Sequence, residues 1–251
     1  MIHIGLFEGI GGFSLAAKYM GWKTYATCEI AEFPNQVLKY YYPEAYHHLD
    51  IHTLTYEGLN NELINKFGTN WRNDDVIVTG GFPCQPYSNA GKRMGKEDER
   101  HLFPEMMRVI KEIKPTWVVG ENVRGLLSWN DGEVFNDICD EFENENYEIQ
   151  SFVLPAAAVN APHRRDRIFF IAFSKQNKSK IKSPIIKQDF YVEDWKDFPK
   201  TNPISAKDSI QLDNIKYSKW RIESIKAAGN AVVPPLILSI FKSIQKVNET
   251  I

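Results

Sequence analysis

Cysteine is scarce in this chain. Three occur in 251 residues, at Cys28, Cys84 and Cys139, and none belongs to a Cys-x-x-Cys pair. An odd, scattered set argues against a disulfide framework or a zinc site and for a reducing compartment. A surplus of one charge is missing as well. Lys plus Arg is 30 against 32 for Asp plus Glu, a formal net charge of -2. That excludes a histone-like basic binder and leaves room for a local basic groove. No run reaches the roughly 18 apolar residues of a membrane span. The first twelve residues show neither a basic leader nor a cleavage-like end. Neither a span nor a signal peptide is therefore expected.

What is present is ordinary globular material, with 43 % hydrophobic and 25 % charged residues. The length fits one large domain, or one plus a small appendage, and buries a core without staples. Residues 2–7 read as a buried strand, followed by a Gly-rich turn and a helix near 14–20. A strand at 23–28 and a helix at 32–41 come next. The β-branched runs 75–79 and 116–120 end in Gly and suit buried parallel strands, with a helix over 101–113 between them. A helix at 132–145 precedes strands near 148–154 and 167–173. This alternation predicts a doubly wound α/β sheet. Two segments break the rhythm. Residues 80–100 form a loop of a length that is usually functional. Residues 174–220 hold ten of the thirty basic residues, all lysines, and read as a small, mostly irregular insert. An apolar helical pattern returns over 226–247, introduced by Gly229-Asn230.

Several motifs carry chemistry. Phe7-Glu8-Gly9-Ile10-Gly11-Gly12 follows the first strand, where glycines admit a ligand close to the backbone and leave helix amides free. Glu29 ends the second strand, where a carboxylate can hold ribose hydroxyls. The competing reading is a tight turn with a surface acid. Asp50-Ile51 is a second candidate, for an adenine amino group or simply a helix N-cap. Gly80-Gly81-Phe82-Pro83-Cys84-Gln85-Pro86-Tyr87-Ser88 sits at a strand's carboxyl end. Turn formers on both sides hold Cys84 out of a core, and Lys92, Arg93 and Lys96 on the same loop lower a thiol pKa by their charge. Glu121-Asn122-Val123 ends the fifth strand and faces the same crevice. Arg165 and Arg167 alternate at the start of a strand, so they are expected on one face, suited to clamping a carbonyl or phosphate.

Together and in this order, these residues resemble the S-adenosylmethionine-dependent DNA (cytosine-5)-methyltransferases. The matching set is Phe-x-Gly-x-Gly-Gly at 7–12, Glu29, Asp50-Ile51, Pro83-Cys84-Gln85, His101-Leu102-Phe103-Pro104-Glu105, Glu121-Asn122-Val123, Arg165-x-Arg167 and Gly229-Asn230-Ala231-Val232-Val233-Pro234. The chain looks like the short phage and bacterial type. The resemblance implies a Rossmann-like methyltransferase sheet, with a catalytic and cofactor-binding domain over 1–173. It implies a reduced target-recognition segment over 174–220 and a return to the catalytic domain over 221–251. It also implies donor contacts from Phe7, Gly9, Gly11, Gly12, Glu29, Ile30, Asp50, Ile51, Pro83, Asn230 and Val232. Cys84 is then the nucleophile, Glu121 the partner of ring nitrogen 3, and Arg165 the holder of the carbonyl at carbon 2. Asn122 and Arg167 complete the catalytic set. Gln85, Ser88, Lys92, Arg93 and Arg100 are the implied contacts to double-stranded DNA, and no metal is implied.

His163 stands where the family usually has Gln, and Arg221-Ile222-Glu223 stands near the usual proline-rich motif. Transfer RNA as substrate is the alternative, although Cys28 and Cys139 do not match the element that branch carries. A dehydrogenase leaves Cys84, Glu121 and Arg165 unexplained, and a degenerate DNA-binding relative does not account for an intact Cys84 and Glu121. A monomer in the cytoplasm, near the nucleoid of a prokaryotic or phage-infected cell, is expected. A cognate restriction endonuclease and an orphan or phage role both stay open.

Overall fold

The computed structural model describes residues 1–68, 71–83, 102–176 and 217–249. Its centre is a seven-stranded sheet. The strands are β1 (Ile2–Leu6), β2 (Lys23–Cys28), β3 (Tyr46–His48), β4 (Val76–Gly80), β5 (Trp117–Val123), β6 (Tyr147–Pro155) and β7 (Asp166–Ser174). Their order across the sheet is β3-β2-β1-β4-β5-β7-β6. The first five are parallel, while β7 runs antiparallel to both β5 and β6. The order reverses between β1 and β4. In an open α/β sheet that reversal opens a crevice at the carboxyl ends of the strands, where ligands bind.

Helices cover both faces. They are α1 (Gly12–Tyr19), α2 (Glu32–Tyr41), α3 (Tyr56–Phe67), α4 (Phe103–Ile113), α5 (Glu133–Asn144), α6 (Tyr217–Asn230) and α7 (Pro234–Glu249). Alternation along β1 divides the core. Ile2, Ile4 and Leu6 face α3, α4 and α5, where Leu59, Leu63, Met106, Ile110, Ile138 and Phe142 meet them. On the other face α1 lies against α7, and Phe13, Ala16 and Ala17 pack near Ile237, Ile240, Phe241 and Ile244. Each large apolar side chain buried this way contributes about 1.5–3 kcal/mol.

Two elements differ from the sequence expectation. Helix α3 was not anticipated within residues 51–74; Thr55 caps it by accepting from the Gly58 amide at 3.2 Å, and only Leu59 and Leu63 are buried. The single apolar pattern over 226–247 is two helices, separated at Ala231–Val233 where Pro234-Pro235 starts afresh. An 18-residue window within Arg221–Glu249 reaches a mean hydropathy of 1.4, and 56 % of it is buried. The apolar face of α7 packs on the sheet, which accounts for that hydropathy.

Candidate active site

The crevice is built first by the turn after β1. Phe7, Gly9 and Gly11 have φ of 51°, 59° and 90°, left-handed values that cost a non-glycine residue strain. The Gly11 amide donates to the Glu8 carbonyl at 3.1 Å, and the Leu15 amide returns to the Gly11 carbonyl at 2.8 Å. A Cβ on Gly9 would meet nothing within 4 Å, so this edge of the turn is open. A Cβ on Gly12 would stand 2.6 Å from Cγ2 of Val232. The turn and the break between α6 and α7 are therefore in direct contact, although 220 residues separate them.

Glu29 closes the turn from β2. Its Oε2 accepts from the Gly9 amide at 2.8 Å and its Oε1 from the Ala31 amide at 2.7 Å. Each oxygen keeps a further lone pair, enough for a diol. Asp50 is engaged as an N-cap: it accepts from the His52 amide at 3.0 Å and from Nδ1 of His52 at 2.8 Å. Those hydrogen bonds hold its carboxyl below the usual range. Ile30 stands 72 % exposed, whereas Ile51 is 4 % exposed and packs in the core. Arg108, which the sequence reading passed over, fixes this loop by donating to the carbonyls of Ile51 and Leu54 at 2.7 and 2.8 Å.

The second wall comes from the ends of β4 and β5. A Cβ on Gly80 would stand 3.1 Å from Met106, and one on Gly81 would stand 3.4 Å from Oε2 of Glu121. The two glycines thus let α4 and Glu121 close on the strand end. Glu121 is buried, and its Oε1 lies 2.9 Å from Nε of Arg167. Burial raises its pKa, against the opposing pull of Arg167 and Arg165. Asn122 spends its amide on the backbone: Nδ2 donates to the Phe82 carbonyl at 3.1 Å, and Oδ1 accepts from the Val123 amide at 2.8 Å. It anchors the strand end that leads through Pro83 to residue 84.

Cys84, Gln85, Ser88, Lys92, Arg93 and Arg100 lie outside the described residues, as does the recognition segment from 177 to 216. The two described thiols are poor nucleophiles. Burial pushes Cys28 up to about 12 and Cys139 up to about 11.

Arg165 and Arg167 do not share a strand face as alternation predicts. β7 begins at Asp166, and Arg165 precedes it with a φ of 37°. Its guanidinium still acts by charge on Glu121 and Arg167. Arg165 donates to the carbonyls of Gly229 at 2.6 Å and Ala231 at 2.9 Å. His163 is exposed. Glu8 was read only as the variable position of the Gly motif, yet it is buried, with Oε1 accepting from the Ser14 amide at 2.8 Å.

The family model "C-5 cytosine-specific DNA methylase" matches residues 1–221. Type II methyltransferase M1.HphI of Haemophilus parahaemolyticus is 36 % identical over 184 residues, covering 68 % of this chain and 45 % of the relative. Type II methyltransferase M.BsuFI of Bacillus subtilis is 30 % identical over 201 residues, covering 80 % of this chain and 42 % of the relative. The chain thus spans somewhat under half the length of these two relatives. The solved methyltransferase EhMeth of Entamoeba histolytica shares the fold, with a TM-score of 0.63 over 98 % of both chains at 14 % identity. The match over most of its length establishes that the chain belongs to the C-5 cytosine-specific DNA methylase family.

Proposed function

We propose that this chain methylates carbon 5 of cytosine in double-stranded DNA with S-adenosylmethionine, releasing S-adenosylhomocysteine. The observation that carries the reading is the buried Glu121–Arg167 pair at the end of β5, beside the strand end that leads to Cys84. A cytosine edge presents ring nitrogen 3 and the amino group beside the carbonyl at carbon 2. A carboxyl next to a guanidinium complements that edge, and burial raises the pKa of that carboxyl.

The Gly turn fits a nucleoside donor, since Gly9 leaves open space and Glu29 retains lone pairs for ribose hydroxyls. The bound donor supplies an electrophilic sulfonium methyl group. The chain's residues supply the rest. The Cys84 thiolate adds to carbon 6 and forms a carbon–sulfur bond, which moves electron density to carbon 5. Glu121 stabilises the charge that this addition pushes toward nitrogen 3. After carbon 5 gains its methyl, loss of its proton breaks the carbon–sulfur bond and returns the thiolate.

A base inside a duplex does not reach such a crevice, so it is flipped out. Gln85, Ser88, Lys92, Arg93 and Arg100 are assigned to the DNA. The lysines of 174–220 contact phosphates, which position without specifying. The site's location is the cytoplasm, and the relatives' Type II names favour a restriction-modification setting with a cognate endonuclease.

The test is transfer of labelled methyl onto unmethylated genomic DNA and onto transfer RNA, by wild type and Cys84→Ser, with base-resolution mapping. Label at carbon 5 of cytosine in DNA, lost in the variant, is the expected result. Label on transfer RNA alone overturns the DNA assignment, and retained turnover in the variant overturns the nucleophile.

A further inference from the structure

The two arginines of the Arg-x-Arg motif are held by different partners. Arg167 pairs with Glu121. Arg165 is committed through two terminal nitrogens to Gly229 and Ala231, at the end of α6 and just beyond it. The last carbonyls of a helix have no partner within it, and they carry the negative end of its dipole. A planar guanidinium satisfies the Gly229 carbonyl and the Ala231 carbonyl just past the helix at once, which a lysine ammonium does with poorer geometry. One residue past Ala231, Val232 bears on Gly12 in the turn after β1. Contacts thus run without a gap from Arg165 through the break between α6 and α7 to the glycine turn.

We infer that Arg165 is a positioning residue that staples the helix break against the glycine turn, and that its loss is read first in methyl-donor binding rather than in recognition of the base. The assignment rests on the proposed placement of the donor over that turn. It differs from the expectation that Arg165 holds the carbonyl at carbon 2: one N–H of each terminal nitrogen is held by backbone, while Nε is buried without a partner among the described residues. Nothing else described holds Gly229 and Ala231 from the β7 side. Ala227, one turn earlier on α6, packs with Ile10 of the same turn and with Phe33 and Val37 of α2. The staple therefore closes a ring of contacts around the donor side of the crevice. The base side rests on the Glu121–Arg167 contact between β5 and β7, which Arg165 reaches by charge rather than by hydrogen bond.

The experiment compares Arg165→Met, Arg165→Lys and Arg164→Met with wild type, each without DNA. Arg164 is the neighbouring cation, exposed and paired with Asp166, and serves as the control. Calorimetry measures S-adenosylmethionine affinity, and amide hydrogen exchange reports on residues 227–236. Arg165→Met is expected to weaken the donor at least about tenfold and to speed exchange across the helix break while β5 and β7 stay protected. Arg165→Lys retains one donor to the carbonyls, guards against a variant that fails to fold, and is expected to fall between. Wild-type affinity with unchanged exchange in both Arg165 variants overturns the staple. Exchange that rises equally over the whole sheet overturns it too, since that is global destabilisation. A wild-type chain that takes up no S-adenosylmethionine overturns the donor placement instead, and the exchange arm still decides on the staple.

Discussion

Arg167 reaches Glu121 along a diagonal of the β5–β7 pair. Arg167 stands opposite Val123, and Glu121 lies two residues back on the same face, opposite Phe169. Diagonal neighbours in an antiparallel pair are about 7–8 Å apart, so a long side chain is needed to close the gap. The resulting contact is 2.9 Å, with side-chain exposures of 22 % for Arg167 and 11 % for Glu121. A buried pair is costly to break from one side, because the remaining charge loses its partner.

Arg167→Met is therefore expected to lower stability by about 3–5 kcal/mol. Glu121→Gln, which removes the charge and keeps a hydrogen-bonding head, costs less. The double variant should recover part of the loss, because no bare carboxylate is left behind. Thermal unfolding of the three variants checks the order. In turnover, Glu121→Gln should lower kcat about 100- to 1,000-fold with donor affinity unchanged. A fall in donor affinity of similar size would contradict the assignment of Glu121 to the base side.

The contact between Gly12 and Val232 yields a compensating pair. Gly12 does not lie in the left-handed region, so an added methyl costs contact and not backbone strain. Its Cβ would sit 2.6 Å from the Val232 methyl. Gly12→Ala is expected to destabilise by about 1–3 kcal/mol through overpacking and to weaken the donor. Val232→Ala removes the opposing methyl and should restore much of both. Calorimetry and melting curves of the single and double variants read the rescue. No recovery in the double variant means the two residues are not coupled.

Short β-branched runs leading into Gly made β4 and β5 legible, and an apolar run before the glycine turn did the same for β1, because a strand buried on both faces has little polar side to obscure it. Helix α3 was not legible. Gly58, Asn60, Asn61 and Asn65 dilute its pattern, and tertiary packing of Leu59 and Leu63 decides it. The acids and glycines of the crevice were readable from motif order, since each sits at a strand end. Their mutual contacts were not, because Gly12 meets Val232 and Arg165 meets Gly229 only after the sheet has closed. Alternation misplaced Arg165, whose positive φ takes it out of β7. Glu8 carried no reading of its own within the glycine motif, yet it lies under the N-terminus of α1 with its Oε1 on the Ser14 amide.

Glu29 tests the donor site from its outer edge. Its two oxygens hold the amides of Gly9 and Ala31, so Glu29→Ala frees both and removes the acceptor for a ribose. Donor affinity is expected to fall at least about tenfold, while the melting temperature changes little because the side chain is only partly buried. Calorimetry without DNA measures it, and an unchanged affinity would remove Glu29 from the donor site.

Glu8 makes a prediction about pH. Burial is the main cause that pushes its carboxyl up to about 8, from 4.5 in an exposed chain. Between those values the folded chain holds a proton that the unfolded chain has released, so stability falls as pH rises. Burial lowers His3 to about 3 from 6.5, and lowers His47 as well. These groups act in the opposite sense, since the unfolded chain binds protons that the folded chain refuses. Their contribution grows with pH up to about 6.5 and is then constant, so it offsets Glu8 only below that point. From about pH 6.5 to 8 Glu8 contributes a falling slope bounded by about 1.4 kcal/mol per pH unit, and the raised carboxyl of Glu121 acts in the same sense. The buried thiols, at about 12 and 11 when folded, add nothing until the unfolded cysteines titrate near 9. Glu8→Gln keeps an oxygen for the Ser14 amide and carries no charge. Wild type should therefore lose stability between pH 6.5 and 8, and the variant should show a flatter profile over the same range. Parallel denaturant titrations of the two proteins measure the difference, and identical slopes would show that Glu8 is ionised in the folded chain throughout.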